Sequence, residues 1–151
     1  MAKYRMLAPE ELQSLEKEFI EFLILNGITS EDWEDLKSKD QKAYIGIIES
    51  FSDVVFEKIL RKTRFLEFRD KKDIYCIQCL EKKMILVGVK SDGNIDFEQS
   101  GIENIINSGL KTYITEKSYK GDRQLEIFQM LQNGYQISGG DLYKKLSVAS
   151  L

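Results

Sequence analysis

Apolar residues change their spacing near residue 63, and that change limits the chain to a fold that uses helices first and strands afterwards. Before it, Tyr44, Ile47, Ile48, Phe51, Val55 and Ile59 recur at i, i+3, i+4, i+7 spacing, the signature of one helix over about 41–62. Ile45, Phe56 and Leu60 widen that stripe past half the circumference, which predicts a central helix. After the change, residues 64–68, 74–80 and 84–89 form short runs of β-branched and aromatic residues that read as strands, with Glu81-Lys82-Lys83 as a turn.

The flanking segments follow the same logic. Pro9 suits the first turn of a helix, Leu12, Leu15, Phe19, Phe22 and Leu23 share one face, and Gly27 ends it. Thr29 caps a short helix with Trp33 and Leu36 inward, and a polar break over 37–40 follows. Asp92-Gly93 predicts a hairpin into Ile95-Asp96-Phe97, and Ser100-Gly101-Ile102-Glu103 has the pattern of a capping box. A strand over 111–119, a helix capped by Asp122 and a last helix carrying Leu142 and Leu146 complete the reading. Helices, then strands, then mixed elements imply a single α+β domain over 1–151. N-terminal helices would pack on a small antiparallel or mixed sheet, with shorter C-terminal helices.

Composition narrows the chemistry. The 151 residues contain no histidine, which removes Ser-His-Asp and Cys-His catalysis and every zinc site that needs imidazole. The two cysteines, Cys76 and Cys79, are too few for a disulfide framework or a four-thiolate zinc site. Their C-x-x-C spacing falls inside a predicted strand, where positions three apart face opposite ways, so two buried core thiols are expected rather than a redox pair. No run approaches a membrane span and the first residues lack a signal-peptide core, so a cytoplasmic protein is expected.

Net charge is −3, which argues against generic duplex DNA binding, but the charge is unevenly placed. Residues 1–57 carry a balance of −7, residues 58–90 of +6 and residues 91–151 of −2. Two constellations follow. Glu49, Asp53 and Glu57, spaced four apart, share one helix face; Asp53 and Glu57 are candidates for a divalent cation, against the alternative of an ordinary solvated face. Arg61, Lys62, Arg64 and Arg69 lead a basic cluster over 58–72 and are candidates for an anion or RNA, against the alternative of intramolecular neutralisation of the acidic helices. Ser138-Gly139-Gly140-Asp141 is a glycine-containing helix entry without the Lys-Ser/Thr of a phosphate loop.

Three segments resemble a small family of bacterial proteins described as a domain of unknown function. They run from Lys3-Tyr4-Arg5 to Asn26-Gly27-Ile28, from Phe51 to Lys58, and from Glu126-Ile127-Phe128 to Gly134. The resemblance implies a bacterial cytosolic protein and carries no mechanism. With no histidine base, phosphate loop or thiolate metal site, the leading expectation is a non-enzymatic binding or adaptor protein that meets a protein partner or self-associates, with no cofactor. The alternatives are a divalent-metal-dependent hydrolase or nucleotide-processing enzyme at Asp53 and Glu57, and an RNA or anion binder through residues 58–72.

Overall fold

The computed structural model describes residues 1–149. Two compact units divide the chain, the first Met1–Ile59 and the second from Leu60 onward.

The first unit is helical. Its elements are α1 (Pro9–Ser14), α2 (Glu16–Leu25), α3 (Ser30–Lys39) and most of α4 (Gln41–Lys62). The single helix expected from Pro9 to Asn26 is two, broken at Leu15. The hydroxyl of Ser14 donates to the carbonyl of Glu11 at 2.7 Å, the kind of local bond that competes with the helix ladder. Thr29 caps α3 as expected, in a reciprocal pair with Asp32. The helix then continues to Lys39, so the polar break shrinks to Asp40. Leu7, Phe19, Leu23, Ile48 and Phe51 form the core, and aromatic rings make its joints. Phe19 meets Trp33 edge-on at 5.1 Å and Phe51 at 5.0 Å, while Trp33 lies 4.6 Å from Tyr44.

The second unit carries β1 (Phe65–Arg69), β2 (Asp73–Cys79), β3 (Lys83–Lys90), α5 (Ile102–Ile106), β4 (Thr112–Ser118), α6 (Arg123–Gln132), β5 (Gln136–Ser138) and α7 (Asp141–Ala149). The strands make one sheet in the order β4-β3-β2-β1-β5, antiparallel at every pairing. The protein is therefore α+β, with helices ahead of the sheet and shorter helices at the C-terminal end. Registers Ile74 to Val89 and Cys76 to Val87 put these four residues on one face, where they join Phe97, Ile105, Leu142 and Leu146 in the core. Fully burying one such side chain contributes about 1.5–3 kcal/mol. Leu66 and Ile77, also paired and buried, lie on the other face.

Two local expectations are corrected here, and one strand was not expected at all. Ile95-Asp96-Phe97 is not a strand. The carboxylate of Asp96 accepts the N–H of Glu98 at 2.9 Å and its carbonyl accepts the N–H of Ser100, so the chain turns and drops Phe97 into the core. The outer side of β3 is paired with β4 instead. Helix α5 starts from Gly101 with no side-chain cap, so Ser100 does not act as a capping residue. Strand β5 had no signal of its own. It is three residues long and exists as the partner of residues 65–67.

Candidate functional site

The acidic face of α4 is occupied by the protein's own backbone. Asp53 accepts the N–H of Lys3 on both carboxylate oxygens at 2.9 Å and that of Tyr4 at 3.3 Å. Glu57 accepts the hydroxyl of Tyr4 and lies 4.0 Å from the ammonium of Lys3. One turn away, Glu49 is 3.2 Å from the amino nitrogen of Met1. Next along, the buried hydroxyl of Ser52 accepts the N–H of Leu7 at 2.9 Å and donates to the carbonyl of Ile48 at 2.7 Å. Arg5 stacks over the ring of Phe56 at 4.7 Å. The result is an extended strap, residues 1–7, laid along α4 and held at four-residue intervals. Burial and the bond to Glu57 push the Tyr4 hydroxyl up to about 12, so it stays a donor across the physiological range. A cation at Asp53 and Glu57 would have to displace these donors. Among the described residues no group of three or more Cys, Asp or Glu side chains converges as a metal site.

The basic candidates separate. Arg69 turns to Glu67, 3.2 Å away, and to the carbonyl of Phe97. Lys62 is exposed at the end of α4 and does not line the cavity described next. Arg61 and Arg64 do come together, on the wall of an open cavity of about 720 Å³ whose other lining residues are Cys79, Leu80, Glu81, Asp122, Arg123 and Gln124. Arg64 Nη1 folds back onto the carbonyl of Arg61 at 2.9 Å.

Arg123 is the residue that sequence reasoning missed. Its Nε donates to the carbonyl of Leu80 at 3.0 Å, Nη1 to that of Leu60 at 3.0 Å, and Nη2 to those of Thr63 at 2.6 Å and Cys79 at 3.1 Å. Nη1 also reaches the side-chain oxygen of Gln124 at 3.4 Å. One planar fork thus ties the last turn of α4 and the end of β2 to the first residue of α6. Its only sequence signal was a position just after the capping Asp122, which accepts the N–H of Leu125 at 3.2 Å.

Cys76 and Cys79 are free and buried, with Cys76 in the core cluster on one face and Cys79 on the opposite parity of the strand. Burial pushes their thiols up to about 12 and about 11, which makes them poor nucleophiles at neutral pH. The entry at residues 138–141 is a turn in which Gly140 adopts φ +90°, against the ring of Phe65.

Strand β4 is the other conspicuous surface. It ends the sheet, six of its seven residues are exposed, and Tyr113 and Ile114 are among them. No helix among the described residues is long and apolar enough to cross a membrane.

Together these features describe an α+β protein with a five-stranded antiparallel sheet, a strapped helix and an arginine-walled cavity. The chain belongs to a family of unknown function, DUF6495, which matches residues 1–150. No curated protein and no solved structure matches it.

Proposed function

We propose that the protein is a non-enzymatic binding protein that self-associates through the outer edge of β4. The observation that carries this reading is the edge itself: seven residues of β-rich sequence, paired with β3 on one side only among the described residues, with six of the seven exposed. Such an edge presents unpaired backbone donors and acceptors to a second strand. Natural edges are usually blunted by proline, a bulge or inward charge. Here the charges are Glu116, bridged to Lys83 at 2.6 Å, and Lys117.

A two-fold axis through Thr115 gives antiparallel pairing without a clash of like charges. Thr115 faces its own copy, Ile114 faces Glu116, Tyr113 faces Lys117 and Thr112 faces Ser118. Moving the axis by one residue, to Glu116 or to Ile114, sets Glu116 against Glu116 or Lys111 against Lys117, which costs stability. The free cysteines are compatible with a reducing, cytoplasmic setting.

The test is a charge swap at Thr115, an exposed position. Thr115→Glu and Thr115→Lys each set like charges face to face, and mixing the two sets opposite charges there. Light scattering after size exclusion is expected to show a concentration-dependent dimer for the wild type, monomers for each variant, and a restored dimer for the mixture. A wild type that stays monomeric at every concentration ends the self-association reading, and variants that dimerise like wild type move the interface elsewhere.

A further inference from the structure

We propose that the cavity walled by Arg61, Arg64 and Arg123 binds the phosphate group of a small phosphorylated molecule. All of its lining belongs to the unit from Leu60 onward, and three separate elements bring the guanidinium groups together: the last turn of α4, the entry to β1 and the first turn of α6. Three guanidinium groups against two carboxylates, Glu81 and Asp122, leave the wall with a positive balance, which favours an anion.

The three arginines differ in what they have left to offer. Arg123 directs its donors to four backbone carbonyls and the amide oxygen of Gln124, all neutral partners. Its charge is fixed in place by geometry and no carboxylate is among those partners, so it acts on the cavity through its field. Arg64 uses Nη1 on backbone carbonyls of Arg61 and Thr63, while Nε and Nη2 carry no hydrogen bond among the described residues. Those two nitrogens form one side of the guanidinium fork, the edge that takes two oxygens of a phosphate side by side. Arg61, exposed in the last turn of α4 and three residues before Arg64, supplies a second charge at the same rim.

The acids on the rim set the class of ligand. Glu81 and Asp122 line the same space, so the wall carries three positive and two negative side chains. A long polyanion such as RNA would run past both carboxylates, whereas one compact phosphate fits among the arginines. A volume of about 720 Å³ is of the size that holds a small metabolite. Leu80 and Cys79 give it an apolar floor against which the non-phosphate part of the ligand would rest.

The experiment is titration calorimetry of the full chain with inorganic phosphate, with adenosine monophosphate and with a short single-stranded RNA, at about 50 mM and about 200 mM salt. Saturable binding of phosphate or the nucleotide is expected, weakened about tenfold or more in Arg64→Ala and in Arg61→Ala and partly retained in Arg64→Lys. Both side chains are exposed, and unchanged circular dichroism and melting of each variant confirm that the fold is intact. The proposal is overturned if neither phosphate compound binds, if both alanine variants bind as tightly as wild type, or if RNA alone binds with a steep salt dependence. None of these outcomes depends on dimer formation at β4, since the cavity lies within one chain.

Discussion

The ring of Tyr113 on β4 fills the space that a β-carbon on Gly88 of β3 would need. The two residues face each other in the β3–β4 register, so the glycine is what lets the tyrosine lie across its neighbouring strand. Gly88→Ala is expected to push the Tyr113 ring off the sheet and destabilise by about 1 kcal/mol. In a Tyr113→Ala background the same change should be neutral or slightly stabilising, because alanine restricts the unfolded chain more than glycine does. A double-mutant cycle by urea unfolding reads the coupling, and equal effects in both backgrounds would refute the arrangement.

Ser52 makes a sharper prediction. It is fully buried in the middle of α4, and its hydroxyl is the acceptor for the N–H of Leu7. Ser52→Ala strands that N–H in the core, where an unsatisfied donor costs about 1–3 kcal/mol. The loss should concentrate in the strap. Limited proteolysis is expected to cut residues 1–7 faster in the variant while hydrogen exchange in the sheet stays unchanged. Uniform acceleration everywhere would mean that the bond serves the whole core rather than the strap.

These two cases show what the sequence could and could not convey. Helix α4 was legible to its last residue because its apolar stripe obeys one period over many turns, and the three central strands were legible because short runs of β-branched and aromatic residues cluster there. The acids Glu49, Asp53 and Glu57 were recognisable as one face. Their partners were not, because backbone N–H groups from about fifty residues away leave no mark in composition. Arg61 and Arg64 stood out in the basic cluster, whereas Arg123 is the single arginine of residues 91–151 and gains its role only when β2 and α4 end beside it. Arg69 belongs to the same cluster in sequence yet turns to Glu67, since residues two apart on one strand share a face. Asp92-Gly93 misled for a related reason. Its turn chemistry is real, with Gly93 at φ +98°, but the edge of β3 was already taken by a strand further along the chain.

The capping glutamate of α1 sets a pH dependence. Glu11 accepts two bonds from Arg5, at 2.7 and 2.9 Å, and one from the N–H of Ala8 at 2.8 Å. The Arg5 guanidinium, then the Ala8 N–H, hold its carboxyl down from the ordinary 4.5 to about 2. A carboxyl lowered in the folded state contributes stability above its unfolded value, and that contribution disappears as pH falls from about 4.5 to about 2. The pair is solvent-exposed, so its share of total stability is small and screened by salt. The titration itself is the better readout. In Arg5→Ala, the Glu11 carboxyl followed by NMR should titrate closer to its ordinary value while staying below it, because the Ala8 bond remains. An unchanged midpoint would show that Arg5 does not hold the group.

Arg123 yields the largest expected effect. Its fork answers four carbonyls at once, and a hydrogen bond to a charged group contributes about 1.5–3 kcal/mol in a partly buried setting. Losses in one network do not add, so Arg123→Ala is expected to destabilise by about 3 kcal/mol or more in urea unfolding, without the sum being reached. Arg123→Lys should recover less than half of that. An ammonium keeps the charge but concentrates its donors at one point, and it cannot span the end of α4 and the end of β2 together. Tyr119 shares one of the acceptors, donating to the carbonyl of Leu80 at 2.8 Å, so Tyr119→Phe is expected to cost about 1 kcal/mol and to couple with the Arg123 variants. Arg61→Ala and Arg64→Ala, exposed at the same cavity, should stay within about 0.5 kcal/mol of wild type. That contrast separates the arginine that builds the wall from the two proposed to meet the phosphate. If Arg123→Lys proves as stable as wild type, the carbonyl cluster is held by packing and the guanidinium only rests upon it.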